Sequence, residues 1–247
     1  MTSNFLDDIT VPQRATSILS AAELIEREGV KLEKSMNFRD KGELLSVFLV
    51  LPKEGGEYKD EWDAKTGTYV FEGHDSTTVD TGGKSLDQLL MYGGDKLTPN
   101  GKFFKEANAF KDGVRRDALQ VQVYEKLDPG VWFDKGIFDL TDAAGVKEEG
   151  RKIFKFFLMP ADRARADRDD THRAERMLPA GTKAEVWERA KGRCVVCGIE
   201  SGLRFVSTQD SPVYGKGNTQ GSPVYAEDIT LLCVKDRGES SGWGLLG

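Results

Sequence analysis

Three consecutive runs near the middle of the chain constrain its fold more than any other feature: ALQVQVYEKL (118–127), VWFDKGIFDLTDA (131–143) and RKIFKFFLMP (151–160). Each is rich in β-branched and aromatic residues and is separated from the next by short turn-forming stretches, so all three read as strands. Two shorter runs upstream join them. ELLSVFLVLPK (43–53) is ended by Pro52, and in GTYVFEG (67–73) Tyr69 and Phe71 share one face while Val70 takes the other. Strands at this spacing predict an all-β barrel with a few helices. One helix is predicted within 13–34, where Ile18, Leu19, Ala22, Leu24 and Ile25 recur at near-helical spacing. A second is predicted over 85–97, SLDQLLMYGGDKL, stopped by Gly93-Gly94.

Composition shifts at residue 161. ADRARADRDDTHRAER carries five Arg and five acidic residues and almost no large apolar side chain, the pattern of a solvated linker. The expected organisation is therefore 1–160, a linker over 161–178, and a small unit over 179–247; the chain's 247 residues are enough for two modest cores. All three cysteines, Cys194, Cys197 and Cys233, fall in the last unit. An odd, clustered set with a Cys-x-x-Cys spacing fits metal or redox chemistry better than a disulfide framework.

The net charge of −6 includes no basic tail or block, which counts against nucleic acid as a partner on totals while leaving local patches open. No run reaches the roughly 18 apolar residues of a membrane span. The N-terminal stretch MTSNFLDDITVPQ lacks the basic and apolar regions of a secretory signal, so a cytoplasmic, intracellular protein with no membrane partner is expected.

The segment YKDEWDAKTGTYVFEGHD (58–75) crowds aromatic rings and carboxylates into one hairpin. It is either an ordinary strand pair with aromatic packing or a pocket that grips something flat. A family resemblance bears on the choice. In order, YKDEWD, YVFEG, DQLLMYGGDKLTPN, VQVYEK, WFDKGIFDL and GRKIFKFFL, spread from about Phe38 to Leu158, resemble the SRA (SET- and RING-associated, or YDG) domain. The resemblance implies a crescent-shaped β-barrel that flips a modified cytosine out of duplex DNA and holds it between two aromatic rings while a carboxylate reads its edge. Flipping costs a few kcal/mol, which stacking and edge hydrogen bonds in a tight pocket offset. By position, the resemblance makes Tyr58 and Phe71 the sandwiching rings, Asp60 or Glu61 the reading carboxylate, and His74 and Asp75 the start of the DNA-probing loop. Asp87 and Gln88 are expected to be structural residues at a helix start.

A second resemblance covers 179–247. KAEVWERAKGRCVVCG, LRFV, GKGN and EDITLLC resemble the HNH (ββα-metal) nuclease module. It implies Cys194, Cys197 and Cys233 as three ligands of a structural Zn²⁺, with Asp236 in the fourth place. The family's general-base histidine falls at Ser207 or Ser211, its asparagine at Arg237, and Asp210 is the only carboxylate near the expected catalytic metal. Neither Ser nor Arg replaces an imidazole that titrates near neutrality. His74 and His172 are the only histidines, and GESSGWGLLG is a poor closing helix.

Together the two resemblances imply an α+β protein: an SRA-like crescent β-barrel with flanking helices, followed by a small ββα-metal domain, as in modification-dependent restriction endonucleases of prokaryotes. The expected partner is double-stranded DNA carrying 5-methyl- or 5-hydroxymethylcytosine, with a possible homodimer. A catalytic divalent metal such as Mg²⁺ enters only if the nuclease is active, and the residues present predict that it does not cut efficiently. The open alternatives are a mis-registered active nuclease, a non-catalytic reader, a C-terminus altered near residue 207 or 234, and a small-ligand-binding β-barrel unrelated to DNA.

Overall fold

The computed structural model describes residues 17–32, 35–39, 45–51, 59–63, 68–74, 87–161, 175, 178–208, 225–233 and 235–236. Eight strands form one sheet in the order β2 (Met36–Asn37), β3 (Ser46–Val50), β6 (Leu119–Asp128), β7 (Val131–Glu148), β8 (Arg151–Pro160), β5 (Thr68–Glu72) and β4 (Glu61–Asp63), with β1 (Ile18–Ser20) pairing β7 off this path. All pairings are antiparallel except β3 with β6. Helices α1 (Ala21–Glu28) and α2 (Pro99–Lys111) accompany the sheet. The C-terminal part contributes α3 (Ala180–Ala190) and the hairpin of β9 (Leu203–Ser207) and β10 (Ile229–Cys233). This is a mixed α+β architecture built mostly of sheet. No described helix is long and apolar enough to cross a membrane.

Strand β3, between β2 and β6, is buried on both faces, which is why SVFLV reads as an unbroken apolar run. Phe48 and Val50 face the main core with Phe71, Phe103, Phe138, Leu140, Phe154 and Phe156. Val47 and Leu49 face the other side, against Leu19, Leu24 and Tyr124.

Two β-bulges in β7 decide which of its side chains point inward. At the first, Val123 stands opposite Gly136 and Tyr124 opposite Asp134, so Lys135 is the extra residue. Gly136 takes φ 86°, a conformation glycine adopts without strain. One inserted residue exchanges the two faces of a strand. Phe133 opposite Glu125, before the bulge, and Phe138 opposite Val121, after it, therefore share one face although they are five residues apart; Phe133 packs toward the C-terminal part, and Phe138 and Leu140 enter the main core. The second bulge, between Leu140 and Asp142, reverses the parity again and buries Ala143. β7 turns into β8 through Glu149 and Gly150, both at positive φ (50° and 83°), as a two-residue hairpin turn requires.

Two helical expectations are corrected. Over 13–34 the helix spans only Ala21–Glu28, and Ile18 and Leu19 belong to β1, one facing each side of the sheet. Ser20 starts the helix: its hydroxyl accepts from the Glu23 amide (3.3 Å) and the Glu23 carboxylate accepts from the Ser20 amide (2.7 Å). The described part of 85–97 is not helical but bends back on itself through an antiparallel bridge from Met91 to Leu97, and the helix follows at Pro99–Lys111. Thr98 caps it and Pro99 occupies its first turn, a start signal that outweighs the apolar spacing of Leu86, Leu89 and Leu90.

The C-terminal elements do not stand apart from the sheet. Leu178, Val186, Phe205, Leu231 and Cys194 share a buried cluster with Ile18 and Phe133. Most of the charged stretch 161–178, and the 237–247 segment where the closing helix of the ββα resemblance would fall, lie outside the described residues.

Candidate functional site

The described part of the hairpin is held by polar residues from four separate stretches of sequence. Asp60 accepts from the Glu72 amide (3.0 Å) and from the Leu51 amide (3.3 Å), tying β4, β5 and the end of β3 together. The Glu72 carboxylate is buried; it accepts from the Lys59 amide (2.9 Å) and pairs with Arg151 at the start of β8 (2.9 Å). Beyond β5, the Gln88 side chain donates to the Gly73 carbonyl and accepts from the Phe154 amide (2.8 Å). Asn100 clasps the next residue, accepting from the His74 amide (3.2 Å) and donating to the His74 carbonyl (2.7 Å). Gly73 sits inside this clasp. A Cβ there would lie 2.7 Å from Asn100 Oδ1 and 2.8 Å from Gln88 Oε1, so any larger residue pushes the two amides off the backbone.

Asp87 and Gln88 are structural, as expected, but they extend the β8 edge rather than open a helix. The Gln88 amide donates to the Lys152 carbonyl (2.8 Å), and Asp87 Oδ1 accepts from the Lys152 amide (2.7 Å).

The expected pocket residues have separate fates. Tyr58 and Asp75 lie outside the described residues. Glu61 is exposed on β4, opposite Val70. Asp60 spends its carboxylate on the Leu51 and Glu72 amides. Phe71 requires a correction. Its ring is wholly buried in the main core, edge-on to Phe48 (4.6 Å, 77°), and the His74 imidazole lies nearly parallel to it (5.5 Å, 15°). It presents no open face to a base, because the alternation that sends Tyr69 and Phe71 to one side of β5 sends them into the sheet's core face.

Beside the hairpin lies an ion cluster that sequence reasoning missed. Glu125 Oε2 accepts from Lys135 (2.9 Å) and Lys183 (2.7 Å), and all three side chains are at least 98% buried. The Lys135 ammonium also lies 5.4 Å from the Trp62 ring and 5.2 Å from Tyr69, and Lys183 lies 4.2 Å from the Phe133 ring. Burial pushes Lys183 down to about 7; Glu125 opposes that shift and Lys135 adds to it. Burial would raise the Glu125 carboxyl, but the two ammoniums outweigh it and hold the group below the usual carboxylate range. A signal was present. Glu125 continues the inward alternation of Val121 and Val123, and Lys183 sits on the helical stripe of Val186, Trp187 and Ala190.

The second constellation comes together as the sequence implied. Ligand atoms of Cys194, Cys197, Cys233 and Asp236 all lie within 4.8 Å of one another. Asp236 Oδ2 is 3.0 Å from Cys194 Sγ and 3.1 Å from Cys233 Sγ, and Cys197 Sγ is 3.6 Å from Cys233 Sγ. The Cys-x-x-Cys turn is folded by the Cys194 amide donating to Ile199 (2.8 Å) and the Gly198 amide donating to Cys194 (2.9 Å). Hydrogen bonding to Asp236 pushes the Cys197 thiol up to about 12, and the three thiols hold the Asp236 carboxyl low. Burial works to raise Cys194, but hydrogen bonds from the Cys197, Cys233 and Val196 backbone bring it below the usual thiol range. Four ligand atoms this close can share one metal ion at bond lengths of about 2.0–2.3 Å.

Of the catalytic candidates, Ser207 ends β9, paired with Ile229. Asp210, Ser211, Arg237 and His172 lie outside the described residues.

No protein-family profile matches the chain, and no curated protein matches it. Among solved structures, it is similar to the SRA domain of SUVH5 in complex with hemi-methylated CG DNA, at 17% identity and a TM-score of 0.40 over 57% of this chain and 83% of that one. It is also similar to KRYPTONITE in complex with mCHH DNA, at 15% identity and a TM-score of 0.40 over 59% of this chain and 31% of that one. The DNA modification-dependent restriction endonuclease AspBHI is a third, at 18% identity and a TM-score of 0.40 over 58% of this chain and 38% of that one.

Proposed function

We propose that this protein recognises duplex DNA carrying a modified cytosine through its hairpin and does not cleave that DNA efficiently. The observation that carries the reading is the convergence of the motif residues on one unit. Asp60, Glu72, Gly73, Gln88, Asn100 and Arg151, dispersed over 92 positions, all meet at the hairpin through the hydrogen bonds and ion pair described above. Buried polar networks of this kind hold one conformation when every member is satisfied. They would set the hairpin rigidly enough to present Tyr58 and Glu61 to a flipped base. The His74 imidazole already rests on Phe71 as a flat ring, and in this reading it moves aside or stacks on the base itself.

The Cys194, Cys197, Cys233 and Asp236 cluster supports a structural Zn²⁺ that holds the C-terminal hairpin in shape. The ion would supply stability, since four protein ligands leave no open position for a reacting water. The missing imidazole and asparagine of the nuclease resemblance support a reader rather than a cutter.

Binding of fluorescent duplexes containing unmodified, 5-methyl- or 5-hydroxymethylcytosine tests the reading. A preference for a modified duplex is expected, and equal affinity for all three would refute it. Incubation with modified plasmid across Mg²⁺, Mn²⁺ and Co²⁺ tests the second half, where rapid modification-dependent nicking would overturn it.

A further inference from the structure

A cleft of about 420 Å³ opens between the segment joining α1 to β2 and the Met91–Leu97 bridge, away from the ion cluster and the cysteines. Its floor is apolar. Lys31, Arg39, Lys96 and Lys102 line it with the rings of Phe38 and Tyr92, and no acidic residue is among its described lining residues. Four basic residues line one cleft of a chain whose overall charge is −6.

The four do not play the same part. Arg39 builds the wall: it pairs with Glu28 (3.0 Å) and donates to the Leu45 carbonyl (3.1 Å) and the Glu28 carbonyl (3.3 Å). Lys31 and Lys96 are exposed, and Lys102 is half-buried. Two of these ammoniums lie over rings at the cleft, Lys96 5.9 Å from Tyr92 and Lys102 5.2 Å from Phe38. The walls are set by backbone bonding. The Tyr92 amide donates to the Lys96 carbonyl (2.8 Å), and the Thr98 amide donates to the Leu90 carbonyl (3.0 Å). Gly101 lets that carbonyl approach, since a Cβ there would lie 1.9 Å from the Leu90 oxygen. Asn100, one residue past the cleft-lining Pro99, clasps His74, so the cleft and the hairpin are fixed to each other by the same helix start.

Lysines at an open rim act on phosphate as point charges and carry no sequence information, in contrast to a buried bidentate clamp. We infer that Lys31, Lys96 and Lys102 form a contact surface for the phosphodiester backbone of duplex DNA, which positions the duplex relative to the hairpin. This rests on the reading above that the hairpin addresses duplex DNA.

The test is fluorescence anisotropy on the full chain with modified and unmodified duplexes across a KCl series. It compares the wild type, Lys31→Gln/Lys96→Gln, and a control pair of exposed lysines, Lys126→Gln/Lys147→Gln. Each phosphate contact adds about 0.9 to the slope of log affinity against log salt. The cleft variant is expected to lose about twice that from its slope, to weaken on both duplexes by the same factor, and to keep the wild-type preference. The control is expected to keep the wild-type slope. If the wild type discriminates and the cleft variant keeps its affinity and slope, the cleft inference fails while the hairpin reading stands. An equal loss in the control overturns it too, because general charge attraction then explains the effect. If the cleft variant alone loses slope but the wild type shows no preference for modified DNA, the cleft inference stands and the hairpin reading fails.

Discussion

Lys183 of α3 donates to Glu125 of β6 at 2.7 Å inside a wholly buried cluster, and this contact carries a charge of the C-terminal part into the sheet. Glu125 serves two lysines, Lys135 and Lys183. The three members are therefore unequal. Glu125→Gln removes the carboxylate that both buried lysines share and is expected to cost about 3–5 kcal/mol. Lys183→Met leaves Glu125 with Lys135 and lays an unbranched apolar chain against Phe133, so it is expected to cost within about 1 kcal/mol or to stabilise. Urea denaturation of both variants gives the order, and equal losses would show that the shared carboxylate is not the controlling feature.

The same lysine makes stability depend on pH. Its pKa is about 7 in the folded chain against 10.5 as the ordinary value, so between those limits the unfolded chain binds more protons than the folded one. Stability from this group therefore rises with pH across that window; below it both states are charged and the burial penalty is present in full. The urea midpoint of the wild type is expected to gain on that of Lys183→Met between about pH 7 and about pH 9.5. Parallel curves would mean that Lys183 keeps an ordinary pKa.

Tyr58 and Phe71 are expected to separate when each is replaced by Ala. Phe71 is wholly buried among Phe48 and its neighbours, so its loss should lower stability by about 3–5 kcal/mol. Tyr58→Ala is expected to cost about 1–3 kcal/mol of binding to modified DNA with little effect on unfolding. Thermal melts read beside anisotropy distinguish the two. A Phe71→Ala variant that melts like the wild type but fails to bind would return Phe71 to the base site.

Metal analysis of the purified chain is expected to find about one Zn²⁺ per molecule, following from a donor set that fits a tetrahedral site. Chelation should lower the melting temperature, because Cys194 and Cys233 belong to the same buried cluster as Phe205 and Leu231. Cys233→Ser should reduce both metal content and melting temperature. Full stability after chelation, with no zinc found beforehand, would leave the thiols as buried hydrophobic groups.

Much of the sheet was legible because strand patterning is local. Alternation in 118–127, 131–143 and 151–160 needs no knowledge of partners, and each run is a strand. The first helix was over-extended because β1 pairing with β7 claims Ile18 and Leu19, an interaction more than 110 residues away in sequence. The second helix lies later in the chain because the Thr98-Pro99 start outweighs the apolar spacing over 85–97.

What the sequence by itself determined was the strands within 43–53, 67–73, 118–127, 131–143 and 151–160 and the cysteine constellation, since each follows from side-chain chemistry at short range. Only the tertiary structure decided which faces are buried. The bulge at Lys135 exchanges the faces of β7, so Phe138 and Leu140 join the face of Phe133, and the inserted residue's ammonium reaches Glu125. Likewise, Phe71 reads as a ligand-facing ring by its place in a motif, yet β5 pairs with β8 in a register that turns it into the core. Strand parity has only two states, and which one a side chain takes depends on bulges and pairing partners that the local pattern does not contain.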